Sequence, residues 1–220
     1  MNKILIGLLL ISLTANSQEK KDSVVSKTKH RVSFSLLGEL NYSNEMGLFY
    51  NNSLQGFNSG YSYSFGATIN IALNKCFTIG TGIINDQFSM TYGGFDHNVY
   101  KTTSFNYFFI GIPIVPDFHF SWEKASFNFI PEIRIDELTH DIVKTQSASG
   151  EFLYNNKILI LACPKIGITY NFIHSFSLSA YFGVKQTLRP ITQTDMNSPF
   201  YGSQTSIYGT FGGLGINYKL

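Results

Sequence analysis

Glu132, Arg134 and Asp136 alternate with Ile133 and Ile135, so in an extended chain the three charges share one face and the isoleucines the other. The same parity puts Glu39 and Asp117 on the polar face of earlier segments, and Lys157, Lys165, Lys185 and Arg189 on that of later ones. Acids dominate the early segments and bases the late ones. A fold that closes one group against the other would bring opposite charges together, and Glu132 and Lys165 lie at similar heights above the turns flanking them. The chemistry open to such a set is ion pairing: a network that fills and stiffens an interior, or a charged pathway through it. Buried charge must be paired, and both signs are present.

Other reactive residue types do not assemble into a motif. His140-Asp141 with Ser147 or Ser149, and Asp96-His97, are pairs a lipid hydrolase would use, yet no tight motif surrounds either. His119 and His174 lie near short turns, and no His and acid spacing suggests a metal site. Cys76 and Cys163 fall on segments expected to lie nearly opposite each other at different heights, so both thiols are expected to be free. The chain is expected to be no enzyme and to hold no cofactor or metal.

Strands must position these residues. Between Ser175 and Arg189, Phe176, Leu178, Ala180, Phe182, Val184 and Leu188 take one parity, and Ser177, Ser179, Tyr181, Gly183, Lys185 and Thr187 the other. Seven further segments alternate in the same way: Val32 to Tyr42, Tyr61 to Leu73, Phe77 to Tyr92, Phe108 to Phe120, Phe127 to Asp136, Lys157 to Phe172, and Tyr208 to Leu220. In the third, the apolar parity passes from Ile79 and Ile83 to Phe88, Met90 and Tyr92, which predicts a β-bulge near Ile84 to Gln87. In the fourth, Pro113 and Pro116 predict a bulge or break in the ladder.

The links alternate in length. Asn74-Lys75, Trp122 to Lys124 and Ile173 to Ser175 are short; Ser43 to Gly60, Gly93 to Val99, Asp141 to Phe152 and Thr192 to Ser203 are longer and polar. Short turns at one end and long loops at the other are the habit of an outer-membrane barrel, not of a Greek-key sandwich. Aromatics gather toward both strand ends, around an aliphatic middle. The chain has 20 Phe and 13 Tyr but only 14% charged residues, against roughly 25% in soluble domains. Eight strands enclose room for modest side chains only, so the bulky face is expected to look outward to lipid and the Gly, Ser, Thr and Asn face inward. The fold class is therefore all-β, an eight-stranded antiparallel up-and-down transmembrane barrel.

The N-terminus reads as an export signal: Met1-Asn2-Lys3 is basic, Ile4 to Thr14 is apolar, and Ala15-Asn16-Ser17 precedes a cut before Gln18. Residues 1–17 are expected to be the signal peptide, 18–29 a short polar segment, and 30–220 the barrel. A net charge of +2 is too small for a nucleic-acid binder.

Tyr107-Phe-Phe-Ile-Gly-Ile-Pro-Ile-Val115, the closing Gly213-Leu-Gly-Ile-Asn-Tyr-Lys-Leu220 and the export signal resemble the outer-membrane barrel family named after PorT, similar in architecture to OmpX-like and OmpA-like barrels. The resemblance covers about residues 30 to 220 and implies an outer-membrane location in a Gram-negative envelope. Expected partners are outer-membrane lipid, the barrel-assembly machinery during biogenesis, and an envelope or extracellular protein; no nucleic acid is expected. Tyr50, Asn51, Asn52, Phe57 and Asn58 in the first long loop suit contact with protein or glycan. The expected function is structural, surface-interacting or envelope-assembling, with a plugged polar lumen. The alternatives are a small-solute channel and a lipid-modifying enzyme.

Overall fold

A computed structural model describes residues 32–48, 56–96, 99–144, 149–150, 154–173, 175–193 and 204–220. The expected signal peptide and polar segment, residues 1–29, lie outside the described residues. The elements are β1 (Val32–Leu48), β2 (Gly56–Ala72), β3 (Phe77–Asp96), β4 (Val99–Trp122), β5 (Ala125–Lys144), the short β6 (Ser149–Gly150) and β7 (Tyr154–Asn156), β8 (Ile158–Ile173), β9 (Phe176–Arg189), the short β10 (Ile191–Gln193) and β11 (Gln204–Lys219). The eight long strands pair antiparallel with their neighbours in chain order, and β1 also pairs with β11, from Ser33↔Lys219 to Leu48↔Gln204. That last ladder closes the sheet into a barrel and leaves no long edge unpaired.

The outward face is largely apolar; β3 departs from this past Ile83, where Asn85, Gln87 and Ser89 take the outward positions and Gln87 accepts from the Tyr63 hydroxyl. Leu40 is 76% exposed, Leu214 69%, Ile166 62% and Phe182 57%. Only hydrocarbon can cover such a surface, and a barrel can cross it because its ladder satisfies every backbone group. Aromatic rings frame the band. Tyr42 and Tyr61 meet at 5.3 Å toward the long-loop end, and Phe176 and Tyr218 at 4.8 Å toward the short turns. β4 runs 24 residues, where ~9–11 suffice to cross, so the barrel extends beyond the bilayer.

Two of the short turns have a local cause. In Leu73 to Cys76, the Asn74 side chain accepts a hydrogen bond from the Cys76 amide at 2.8 Å, an Asx-type turn. Between β4 and β5, Trp122 pairs with Ala125 across two residues, and Glu123 takes φ 51° to close the hairpin.

Two expectations about the strands are corrected and one is met. β3 has no bulge near Ile84 to Gln87: its register with β2 is continuous from Ala72↔Thr78 to Ser62↔Phe88. Even-numbered residues face inward from Gly80 to Phe88, and Phe88 is a buried lumen residue, not a lipid-facing one. The expected break at the β4 prolines is present: the β4–β5 ladder stops after Ile114↔Ile133 and resumes at Phe118↔Phe129 in the same register, and the gap holds Pro116 and, on β5, Pro131. A separate bulge lies at Phe108/Phe109, where Thr139 is the extra residue and its hydroxyl donates to the Phe108 carbonyl at 2.9 Å. Gly93 to Val99 is not a long loop, since β3 and β4 remain paired to Asp96↔Val99.

Candidate functional site

Inside the barrel the side chains form three layers. The middle layer is ionic and is centred on Arg134, which is fully buried on β5. Its Nη2 donates to Glu39 Oε1 of β1 at 2.6 Å, its Nη1 reaches both oxygens of Asp86 on β3 at 3.3 Å, and its Nε donates to Glu132. Lys165 of β8 lies 2.6 Å from Glu132 Oε2 and 3.5 Å from Glu39 Oε1. Lys185 of β9 lies 3.2 Å from Glu39 Oε2 and 3.1 Å from Asp86 Oδ1, and donates to Ser64 Oγ at 2.9 Å. Three cations thus interlock three carboxylates drawn from five strands across the lumen. A guanidinium has five donors in a planar fork, which is why one arginine can serve three acids here.

Asp136 completes the layer. It is fully buried, neither oxygen has a hydrogen-bond partner among the described residues, and its Oδ1 occupies the space a Cβ on Gly111 would fill. Tyr181 borders the layer, with Lys165 Nζ 4.5 Å from its ring centre. Its phenol end lies against Gly213 of β11, where an added Cβ would fall 2.5–2.7 Å from Cε2, Cζ and the hydroxyl oxygen. A closing strand rich in glycine is what gives this ring its room.

Toward the long loops the lumen is apolar. Phe88, Phe105, Tyr107, Phe109, Leu138, Leu159, Leu161, Cys163, Ile191, Ile207 and Phe211 form one buried cluster. Phe88 and Phe109 meet edge to face at 5.7 Å, and the Lys185 ammonium sits 5.3 Å from the Phe211 ring centre. Toward the short turns the lumen is polar and open, a cavity of about 470 Å³.

The structure brings Glu39, Glu132, Arg134, Lys165 and Lys185 into one cluster, with the Glu132–Lys165 contact among them. Asp136 adjoins it. Asp117 does not: it sits in the open cavity, where Asn128 Nδ2 donates to both its oxygens at 3.0 Å, and His119 Nδ1 lies 4.0 Å away. Two expected members are corrected. Lys157 stands exposed between β7 and β8, before the inward-facing run of β8 begins. Arg189 is exposed opposite Ile160, just past a bulge in the β8–β9 ladder that ends the regular alternation.

Asp86 escaped sequence reading. Placing a bulge at Ile84 to Gln87 assigned its parity to no face, although Gly80 and Gly82 before it already marked even positions as inward. Of the loop residues, Tyr50, Asn51 and Asn52 lie outside the described residues, and Phe57 and Asn58 belong to β2, opposite Met46 and Glu45. His140 and Asp141 face opposite sides of β5, His140 exposed and Asp141 buried with the Tyr154 hydroxyl donating to it at 3.2 Å. They cannot converge on one substrate. Ser147 and His97 lie outside the described residues. Cys76 is exposed, Cys163 is buried, and both are free thiols.

These features define the molecule as a closed eight-stranded barrel with a lipid-facing exterior and an ion-paired interior. No family model matches the chain, and no curated protein matches it. Among solved structures it is similar to Neisserial surface protein A, with 12% identity, 85% of this chain and 97% of that chain covered, and a TM-score of 0.49. It is similar also to the outer membrane protein OprG from Pseudomonas aeruginosa, at 6% identity, 87% and 97% coverage and a TM-score of 0.45. The outer membrane protease OmpT from Escherichia coli matches at 10% identity, 88% and 98% coverage and a TM-score of 0.44.

Proposed function

We propose that this chain is a non-enzymatic, non-conducting outer-membrane barrel, exported by a cleaved signal peptide, that acts as a structural or surface-interacting component of a Gram-negative envelope. The carrying observation is the middle layer: Arg134, Lys165 and Lys185 bridge the lumen to Glu39, Asp86 and Glu132, beneath an apolar cluster that fills the next layer. An ion must break several paired charges to pass, and water finds few partners above them. The apolar outer band and the aromatic rings at both ends support the bilayer setting; by the habit of outer-membrane barrels, the short turns face the periplasm. The Ile112-Pro113 stretch and the glycine-bearing last strand support a PorT-like relationship. Partners under this reading are lipid, the assembly machinery, and an envelope or extracellular protein met at the long-loop end.

Planar-bilayer recording tests it. The purified, folded protein, verified by heat-modifiable gel mobility, is expected to give no steady conductance above that of empty membranes. Reproducible channel steps would overturn the reading in favour of a small-solute channel. Release of lysophospholipid or altered lipid acylation by the wild type alone would favour an enzyme.

A further inference from the structure

We propose that the open cavity at the short-turn end is a binding site for a small neutral saccharide, a function separate from the closure above it. The cavity holds about 470 Å³, within the ~300–1,000 Å³ typical of small-molecule sites. Its floor is the ionic layer, where Glu132, Lys165 and Tyr181 border it, and its mouth opens at the turn carrying Asn74 and Lys75. It is a blind pocket, not one end of a passage.

One side of the wall is a connected run of hydroxyls and amides. Asn128 donates to Asp117 and accepts from the Thr169 hydroxyl at 3.0 Å, and Thr169 meets Ser179 at 2.9 Å. Asn217 donates to Ser179 at 2.8 Å and to Ser177 at 3.3 Å. Across the lumen, Asn70 donates to Ser35 at 2.8 Å. These bonds fix the side chains while using only part of their capacity: each hydroxyl has one donor and two acceptor sites, and each amide two donors and two acceptor sites. The remainder is a preset array of mixed donors and acceptors around a space of sugar size. The hydroxyls of a pyranose, each both donor and acceptor, match that array.

The wall carries charges of both signs, not a patch of one. Glu132 is committed to Arg134 and Lys165, Asp117 is held by the Asn128 amide with His119 Nδ1 4.0 Å away, and the Lys219 ammonium donates to Asn171 Oδ1 at 2.6 Å. A charged ligand would meet a like charge as well as an opposite one, in addition to the cost of leaving water. A neutral one gives up only hydrogen bonds that the wall can replace. Tyr181 adds one aromatic ring, as an apolar surface beside the polar array.

The inference is independent of the barrel's orientation in the membrane and of its conductance. Saturation-transfer NMR on the folded protein, in a detergent without a sugar head group, tests it with N-acetylglucosamine, cationic glucosamine and anionic glucuronate. Transfer to N-acetylglucosamine is expected, with at least about tenfold weaker binding of either charged sugar. Two cavity-filling variants, Ser179→Phe and Ser35→Phe on opposite walls, are expected to abolish the transfer while keeping heat-modifiable mobility. The wild-type comparison stands even if neither variant folds. No transfer to N-acetylglucosamine, equal or tighter binding of a charged sugar, or unchanged transfer in a folded filled variant would overturn the proposal.

Discussion

Replacing Arg134 by methionine removes the hub of the lumen while keeping an unbranched chain of similar reach. In the wild type Arg134 touches Glu39, Asp86 and Glu132, and all four side chains are fully buried. The variant does not strand any acid completely. Glu132 keeps Lys165 at 2.6 Å, Asp86 keeps Lys185 at 3.1 Å, and Glu39 keeps both lysines at 3.5 and 3.2 Å. It does leave three carboxylates, with Asp136 nearby, against two cations. Breaking a buried ion pair costs about 3–5 kcal/mol, and the surviving contacts place this case at the lower end. With a urea dependence of about 3 kcal/mol per molar, a loss of about 3 kcal/mol lowers the midpoint by roughly 1 M. Trp122 is the single tryptophan and is 68% exposed at the short-turn rim. Its fluorescence therefore reports release from detergent or lipid on unfolding. Adding Glu132→Gln to Arg134→Met removes one excess acid and should recover about 1 kcal/mol, a coupling expected only for residues in contact. A midpoint within about 0.3 M of wild type would refute the reasoning. So would strictly additive losses in the double variant.

Phe182→Arg, on the outward face at mid-strand, should cost about 2–4 kcal/mol in lipid and slow assembly, as seen in the fraction of heat-modifiable protein. Its inward neighbour Tyr181→Phe should leave assembly unchanged. Gly111→Ala sets a methyl where the Asp136 carboxylate lies and should destabilise by about 1–3 kcal/mol. Shortening the acid with Asp136→Ser should recover most of that loss, and a neutral Gly111→Ala would show that Asp136 does not rest there.

The outer face was legible because lipid asks alternate positions of a crossing strand to be apolar, a rule that β3 keeps only as far as Ile83, past which Asn85, Gln87 and Ser89 face outward. That rule located the outward Phe, Ile and Leu residues and, by parity, Glu39, Glu132, Arg134, Lys165 and Lys185. It could not show that the inner face changes character along the barrel. Phe88, Tyr107 and Phe109 obey inward parity, yet they are as bulky as lipid-facing residues. Reading Phe88 as outward forced a bulge that β3 lacks and hid Asp86. Lys157 and Arg189 failed for a different reason, since parity holds only while the ladder is regular and both lie where it ends or bulges. The open cavity was illegible because it arises from five or more strands at once. Ser35, Asn70, Asn128, Thr169 and Asn217 are unremarkable apart, and only the barrel's closure sets them around a common space.

Brominated-lipid quenching of a tryptophan scan along β9 tests most directly which face meets the membrane. With Trp122→Phe as background, single tryptophans at 178, 180 and 182 and at 177 and 179 are placed in turn in the folded protein. Exposed Leu178, Ala180 and Phe182 alternate with inward Ser177 and Ser179, so strong quenching is expected at the even positions and little at the odd ones. Quenching that favours 177 and 179, or that does not alternate, would contradict a barrel with its apolar face in lipid and its charges within.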